Sequence, residues 1–421
     1  MKSFMRDRFE DEGCEESIAE SLDALGLASF EELFVEFSPE MERRSKELNE
    51  RFAKRRLSDF APIADGAPVF VGGGRCDRFV PIAIENMTSR VDLGAARRDK
   101  KPRVVRDVLR ALVKYRENVA RLLRAERVDA FVAVGGSPLI RAISLAVQKT
   151  RRSLVALPET LDPEQVELAR ACAELERFET VVVPERRGVL DLDSLTRLVV
   201  ERGAELAALV VQYPNFYGAL ERVSHIAETV RKSGALLLAC ADPFSLSILR
   251  SPIEWGADLI VGGSAPFAKR LGDDLELGFV AGVDSLVRAL PPSASKRESA
   301  FRSLAANQAL AHFAFANPKD LRKAADDSRR LASRARAAFD RAGFRFLHDA
   351  PFLSEFAVKV DDPGAVNRYL RKWGIVGGYE LDAALLFAFT EKRTAEEVEE
   401  LVYFMKESRG VRDSFDELPR R

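Results

Sequence analysis

The chain has 421 residues, which is enough for more than one packed core, because single hydrophobic cores stop growing near roughly 300 residues. Its 65 basic and 66 acidic residues give a formal net charge of -1, so no overall charge draws it to nucleic acid or to an anionic membrane. The first residues are charged and lack an apolar stretch, which predicts neither a secretory signal nor a membrane anchor and indicates a cytoplasmic protein.

Cysteine and histidine are too scattered to predict a metal centre. None of the four cysteines has the short paired spacing that zinc or a redox dithiol needs, so we expect buried free thiols at Cys14, Cys76, Cys172 and Cys240. Only three histidines are present, which leaves few members for a metal site or a proton relay. We therefore expect no metal.

The N-terminal part of the chain has a helical pattern. Apolar residues such as Leu22, Leu25 and Leu33 recur at helical spacing between charged residues. The pattern predicts a helical arm over residues 1–60.

The middle of the chain alternates between short apolar runs and amphipathic stretches. Continuous apolar runs of this length are typical of strands that are covered on both faces, and helices between them make the strands mostly parallel. This predicts an α/β large domain, residues 61–300, around a doubly wound, mostly parallel seven-stranded sheet. The runs are Phe131 to Val134, Leu154 to Leu157, Val181 to Val183, Leu206 to Val211, Ala235 to Ala239, Leu259 to Val261 and Gly278 to Val280.

The last part of the chain predicts a linking helix and a smaller α/β domain, residues 301–421. A polar amphipathic stretch is interrupted at Asn317-Pro318, which should end one helix and begin another. The pattern then predicts alternating strands and helices: strands at Phe352 to Val360, Gly374 to Gly378 and Leu385 to Thr390, and helices at Asp362 to Trp373 and Thr394 to Glu407.

Two places in the large domain are candidate cofactor-binding sites. The turn Gly135-Gly136-Ser137 joins a strand to a helix, so its amides could hold a phosphate, although Ser137 could equally cap the helix. Asp242 follows a strand at the end where open α/β sheets bind ligands, and there it could pair with a pyridinium nitrogen or cap the next turn. At the neighbouring strand end, Gln212 and Asn215 are either pocket wall or packing.

Basic residues offer two further alternatives. A pyridoxal-phosphate enzyme that acts alone needs a lysine for its Schiff base, and the local candidate is Lys269; a solvated surface role is the other interpretation. The run from Arg97 to Arg103 is an exposed loop or a contact for an acidic partner surface. It has no interleaved aromatic residues, which disfavours nucleic acid.

Several segments together resemble the alpha subunit of the glycine cleavage P-protein, glycine dehydrogenase (decarboxylating) subunit 1. The resemblance covers almost the whole chain, and its most specific parts are the VVQ-PNF-G-LE and ADP-SL patterns in that order. The segments are Leu22 to Phe34 (LDALGLASFEELF), Val71 to Pro81 (VGGGRCDRFVP), Leu209 to Leu220 (LVVQYPNFYGAL), Ala241 to Leu249 (ADPFSLSIL), Gly256 to Gly263 (GADLIVGG), Pro351 to Phe356 (PFLSEF) and Leu386 to Thr394 (LFAFTEKRT).

The resemblance implies a fold, a partner and a division of labour. The fold would be the pyridoxal-phosphate-dependent transferase fold of type I. The cofactor lysine would belong to a second subunit, and Pro266 lies near the equivalent position in this chain. Pyridoxal phosphate is therefore expected on the partner and not covalently on this chain. The resemblance implies no catalytic residue on this chain. The assembly would decarboxylate glycine and pass the aminomethyl group to a lipoyl carrier protein.

The departures from the family pattern leave two functions open. Members carry a segment rich in tyrosine, proline and glutamine where this chain has the charged stretch Ala96 to Asp107, and VGGSPLIRA at Val134 to Ala142 replaces another motif. Losing groups from a preorganised site costs orders of magnitude in rate. The chain is therefore either a working subunit that braces the partner's cofactor site or a degenerate scaffold or regulatory paralogue.

Overall fold

The computed structural model describes residues 16–29, 40, 43, 66–74, 76–80, 102–134, 137–263, 275–290 and 317–409. Within the predicted N-terminal arm, residues 16–25 are helical, and Leu25 is buried against the helix that follows. Leu33 lies outside the described residues. In the ranges just given, no helix is both long and apolar enough to cross a membrane.

A seven-stranded sheet forms the larger core, in the order β1-β9-β8-β7-β6-β2-β3. All neighbouring pairs are parallel except those of β9, which runs antiparallel to β1 and to β8. All seven predicted apolar runs fall on these strands, with Ala235 one residue ahead of β7. Strands covered on both faces are apolar throughout, whereas the edge strand β3 is only partly buried. The strands are β1 (Arg127–Val134), β2 (Leu154–Pro158), β3 (Glu179–Val183), β6 (Leu206–Tyr213), β7 (Leu236–Ala241), β8 (Leu259–Gly263) and β9 (Leu275–Gly282), and a separate hairpin contains β4 (Glu185–Arg186) and β5 (Val189–Leu190).

Helices cover both faces of this sheet, as the alternation along β2 shows. Val155 and Leu157 pack with α2 and α3, whereas Leu154 and Ala156 face the other way, toward α4 and α5. The sheet is therefore doubly wound, as predicted. The helices are α1 (Pro102–Leu123), α2 (Ser137–Thr150), α3 (Pro163–Glu176), α4 (Leu192–Arg202), α5 (Val223–Arg231), α6 (Pro252–Trp255), α7 (Asp284–Val287), α8 (Pro318–Arg341), α9 (Pro363–Lys372) and α10 (Ala395–Ser408).

A second, three-stranded antiparallel sheet lies near the C-terminus, in the order β10-β12-β11. Its strands are β10 (Glu355–Lys359), β11 (Tyr379–Leu381) and β12 (Ala384–Ala388). Local signals set the helix starts: Asn317 caps α8 with Pro318 in the first turn, and Thr394 and Glu397 form a capping box on α10. The predicted helices after Asp362 and Thr394 are confirmed.

The predicted strand at Gly374 to Gly378 is wrong by a few residues. Trp373 is the C-cap of α9, and Gly374 follows it with a φ of 73°, so this part of the chain ends the helix. Only Val376 makes a bridge, and the strand proper begins at Tyr379.

The segment of residues 66–74 adds to the small sheet. Val69 and Val71 form isolated bridges with Val376 and Phe387, and the amide of Ala388 donates to the carbonyl oxygen of Phe70 at 2.8 Å. The C-terminal sheet is therefore completed by a segment that precedes the large sheet in the sequence. The domain boundaries given above stay a prediction.

Candidate functional site

A small cavity of about 70 Å³ lies at the carboxyl ends of β6 and β7, between the large sheet and the start of β10. In open α/β sheets this edge is where ligands bind. The side chains that decide its chemistry are Cys76, Arg78, Gln212, Asn215, Asp242 and Glu355.

Asp242 caps the turn that follows β7. Its Oδ1 accepts from the amide of Phe244 at 2.9 Å, and its Oδ2 accepts from Oγ of Ser245 at 2.8 Å. The nearest cation is Nη2 of Arg78, 3.8 Å from Oδ2. Both carboxylate oxygens are thus engaged, which matches the capping alternative considered for this residue.

Asn215 is buried, and every hydrogen-bonding group of its side chain is used inside the protein. Nδ2 donates to the carbonyl oxygen of Gly188 and to Oε1 of Glu221, each at 2.8 Å. Oδ1 accepts from the amides of Tyr217 at 3.1 Å and Ala219 at 3.0 Å. An amide side chain offers two donors and two lone pairs, so none remains for a ligand in this arrangement.

A buried carboxylate continues this network behind the cavity. Glu221 accepts from Oγ1 of Thr160 at 2.8 Å and from the amide of Leu190 at 2.9 Å, besides its bond to Asn215. Burial raises the pKa of Glu221, although these hydrogen bonds act in the opposite direction. Gln212 belongs to the same region, and its Oε1 accepts from the amide of Asp162 at 2.8 Å.

Arg78 crosses the cavity as a buried cation. Its guanidinium carbon lies 3.6 Å from the centroid of the Phe244 ring, and Nη1 donates to Oε2 of Glu391 at 3.3 Å. The side chain is 5% exposed, and Nε has no hydrogen-bond partner among the described residues. Burying a donor without an acceptor is costly, so this group is a candidate ligand contact.

Cys76 and Glu355 form the opposite wall. The Cys76 thiol donates to Oε1 of Glu355 at 3.2 Å, and Oε2 accepts from the amide of Gly73 at 2.6 Å. Burial raises the pKa of the thiol, and the neighbouring Glu355 carboxylate raises it further. Burial also raises the pKa of Glu355. A thiol kept protonated in this way is a poor nucleophile.

Cys76 was predicted to be a buried free thiol and is instead partly covered, and no role was predicted for Arg78 or Glu355. All three residues lie in the segments VGGGRCDRFVP and PFLSEF, which carry the family resemblance. These segments could have pointed to the three residues, although the resemblance implied no role for them. Of the predicted cofactor-binding residues, Asn215 and Asp242 both line the cavity. Ser137 is the first residue of α2, whereas Gly135, Gly136, Lys269 and Pro266 lie outside the described residues.

The described part of the cavity does not fit pyridoxal phosphate. The cofactor needs a lysine for its Schiff base and an acidic group free to meet the pyridinium nitrogen. The lining residues that the structure describes include no lysine, and every hydrogen-bonding group of the Asn215 side chain is used within the chain.

Comparison with solved structures identifies the fold. A crystal structure of glycine decarboxylase (P-protein) of the glycine cleavage system, in inhibitor-bound form, matches with a TM-score of 0.72 and 27% identity over 94% of this chain and 98% of that one. A NifS-like protein matches with a TM-score of 0.63 at 15% identity, over 82% of this chain and 99% of that one. The fold is the pyridoxal-phosphate-dependent transferase fold of type I, and the predicted fold class is confirmed.

Comparison with curated proteins and family models identifies the family. A probable glycine dehydrogenase (decarboxylating) subunit 1 of Syntrophomonas wolfei is 30% identical, covering 91% of this chain and 96% of the relative. One of Carboxydothermus hydrogenoformans, of the same name, is 31% identical over 92% and 97%. The model of the glycine cleavage system P-protein matches residues 12–293. The chain belongs to the glycine cleavage system P-protein family.

Proposed function

We propose that the chain is the first subunit of a two-subunit glycine dehydrogenase and that it braces the pyridoxal-phosphate site of a lysine-bearing second subunit. The observation that carries this proposal is the buried Arg78 beside Asp242, at a strand end where a catalytic relative of this fold would need room for a cofactor. The name shared by the relatives, subunit 1, supports a second subunit as the partner.

In the assembly, the partner's pyridoxal phosphate would supply the electron sink for decarboxylation of glycine. The resulting aminomethyl group would pass to a lipoyl carrier protein. The contribution of this chain is a fixed surface rather than a reacting group. The buried network of Thr160, Asn215 and Glu221 holds the ends of β2 and β6 and the hairpin of β4 and β5 in one arrangement, which is what a bracing wall needs.

Reconstitution tests the proposal directly. The chain and a lysine-bearing second subunit are purified separately and mixed, and glycine-dependent exchange of labelled bicarbonate is measured. We expect the exchange rate to be at least about tenfold higher than with the second subunit alone. Removing the residues that position a preorganised site lowers the reaction rate by orders of magnitude. Equal exchange with and without this chain would contradict the bracing role.

A second candidate is a degenerate scaffold or regulatory paralogue, which the charged stretch Ala96 to Asp107 favours. Under this alternative the two subunits elute as a complex in size-exclusion chromatography, yet adding this chain does not change the exchange rate of the second subunit. Complex formation and exchange therefore have to be measured on the same samples, since only their combination separates the two candidates.

The same samples test where the cofactor sits. After incubation with pyridoxal phosphate and reduction with borohydride, we expect the cofactor mass on a lysine peptide of the second subunit and on none of this chain. Labelling of Lys269 would instead support an enzyme that acts alone and would overturn the proposed division of labour.

A further inference from the structure

We propose that the outward face of α1 is the docking surface for an acidic face of the second subunit. The identity of the partner rests on the proposed function, whereas the surface and its charge belong to this chain. By sequence, the basic run from Arg97 to Arg103 was either an exposed loop or a contact for an acidic partner. Residues 97–101 lie outside the described ones, and α1 continues the run from Pro102 onward.

Helix α1 has a buried apolar side and a basic outer side. The helix carries six basic and two acidic residues, a net charge of +4, although the whole chain has a net charge of -1. Most of the basic residues recur at intervals of three, four or seven, which places them on one side of the helix. This basic stripe contains Arg103, Arg106, Arg110, Lys114 and Arg121, and Arg124 extends it just beyond the helix.

Ion pairs with neighbouring acids only partly neutralise the basic stripe. The pairs are Arg106 with Asp107, Lys114 with Glu117 and Arg124 with Glu254. The side chains of Lys114 and Arg124 remain 61% and 69% exposed, and ion pairs of such exposed groups are weak. These cations therefore stay accessible to carboxylates of a partner.

Two further cations of the stripe have no acidic partner among the described residues. Nε of Arg110 donates to a neutral acceptor, Oγ of Ser17, at 3.1 Å. Arg121 is exposed and forms no ion pair with the described part of the chain. A partner that brings carboxylates to this side of α1 would supply the missing counter-charge.

The charges of the stripe do not stabilise α1 itself. The helix has no acidic residue in its first turn, where carboxylates favour the macrodipole and cations oppose it. Arg106, Arg110 and Lys114 follow one another at intervals of four residues, so they repel each other along the helix. Carboxylates on a partner surface would offset both effects, which is why an acidic partner fits this face.

The position of α1 connects this face to the candidate site. The buried side of α1 shares one core cluster with Phe244 and Leu246, which lie in the turn that also carries Asp242. The helix contacts that turn directly. A subunit seated on the basic stripe would therefore lie about one helix diameter, roughly 10 Å, from the turn that lines the cavity.

Calorimetry with the purified full chain and the purified second subunit tests the surface. We expect the affinity to fall at least about tenfold in the triple variant Arg110→Glu, Lys114→Glu, Arg121→Glu, because like charges then face each other across the interface. We also expect the affinity of the unmodified chain to fall several-fold as salt rises from about 50 to about 300 mM.

A control variant reverses the same number of exposed charges on the C-terminal part of the chain. It carries Arg341→Glu, Arg345→Glu and Lys406→Glu. We expect this variant to bind the second subunit as tightly as the unmodified chain does. Equal affinities of the α1 triple variant and the unmodified chain would contradict the proposal.

Duplex DNA and vesicles that contain phosphatidylserine serve as probes for other anionic partners. The one aromatic residue of α1, Tyr115, is buried, which disfavours stacking of single-stranded nucleic acid on this face. We expect both probes to bind the unmodified chain more weakly than the second subunit does at the same salt concentration. Tighter binding of either probe would overturn the assignment to a protein partner.

Lysine acetylation of the unmodified chain gives a test that needs no variant. Complex formation is expected to slow acetylation of Lys114 several-fold, as followed by peptide mass spectrometry. Lys149 is the control, because it is exposed on α2, which covers the opposite face of the large sheet. Its acetylation should not change.

The acetylation and exchange assays together separate this inference from the proposed function. Unchanged acetylation of Lys114 in a complex that still accelerates glycine-dependent exchange would overturn the α1 surface and leave the bracing role standing. Slowed acetylation of Lys114 in a complex without accelerated exchange would support the surface and contradict the bracing role. The absence of any complex would overturn both.

Discussion

The guanidinium of Arg78 stacks on the ring of Phe244, with 3.6 Å between the guanidinium carbon and the ring centroid. Phe244 follows Asp242 in the turn after β7, so the stacking brings a cation to the edge of the sheet where this fold usually receives its ligand. Arg78 comes from the N-terminal side of the sequence. The cavity is thus built by segments that are far apart in the chain.

Gly218 is expected to tolerate no side chain. It has a φ of 79°, and a Cβ there would overlap the carbonyl oxygen of Glu355. Gly218→Ala should lower the free energy of unfolding by roughly 3 kcal/mol or more, through backbone strain and steric overlap together. Gly343 is the matched control, since it has a φ of 77° with open space around its Cβ position. Gly343→Ala should cost only about 1 kcal/mol. Similar urea midpoints for the two variants would contradict the overlap.

The hydrogen bonds of Asn215 predict an unusually costly alanine substitution. Asn215→Ala takes the side-chain partner from the carbonyl oxygen of Gly188 and the amide of Ala219, and it removes one of the three hydrogen bonds of Glu221. We therefore expect a loss of roughly 3 kcal/mol in the free energy of unfolding. Asn367 is also buried but donates only to Gly378 and Glu380, and its Oδ1 has no partner in the described residues. Asn367→Ala should therefore cost less. A larger loss of stability for Asn367→Ala than for Asn215→Ala in chemical denaturation would contradict the importance of the Asn215 network for the end of β6.

Glu221 is expected to make stability fall as pH rises. Burial raises its pKa in the folded state above the ordinary value, so the folded chain holds the proton more tightly than the unfolded chain does. Its contribution is complete below the ordinary carboxyl range and is lost as pH rises through the folded-state pKa. The stability of the unmodified chain relative to Glu221→Gln should therefore decline over that window. A constant difference across pH would contradict the raised pKa.

Among the described cysteines, Cys76 should react first. It is partly covered, whereas Cys172 and Cys240 are buried, and burial raises the pKa of all three thiols. In a Cys14→Ser background, a small thiol reagent should label Cys76 in the native chain and the other two only after unfolding. The labelling rate of Cys76 should keep rising at pH values above the ordinary thiol range. Prior labelling of Cys240 would contradict the burial order.

The sequence predicted the large sheet well because its physical signal is local. A strand covered on both faces must be apolar throughout, and all seven such runs became strands. Tyr379–Leu381 gave no such signal, because this strand is short and none of its residues is fully buried. The strand predicted at Gly374 to Gly378 is instead a helix end and a bridge.

The site was predictable only in part, for a related reason. The position of Asp242 follows from the rule about strand ends, which needs only the local pattern. The contact of Glu355 with Gly73 joins residues 282 positions apart, and no periodicity reports such a pairing. The saturation of Asn215 likewise depends on Gly188 and Glu221, so its role as packing or pocket wall could be settled only by geometry.

The pairing of residues 66–74 with β12 bears on how the protein is made. Synthesis on the ribosome delivers β12 long after that segment, so the small sheet stays incomplete until nearly the whole polypeptide has emerged. A fragment that begins after the large sheet would expose backbone groups of Phe387 and Ala388 along an open strand edge. Such edges promote aggregation, and a C-terminal fragment expressed alone should be insoluble unless the early segment is fused to it.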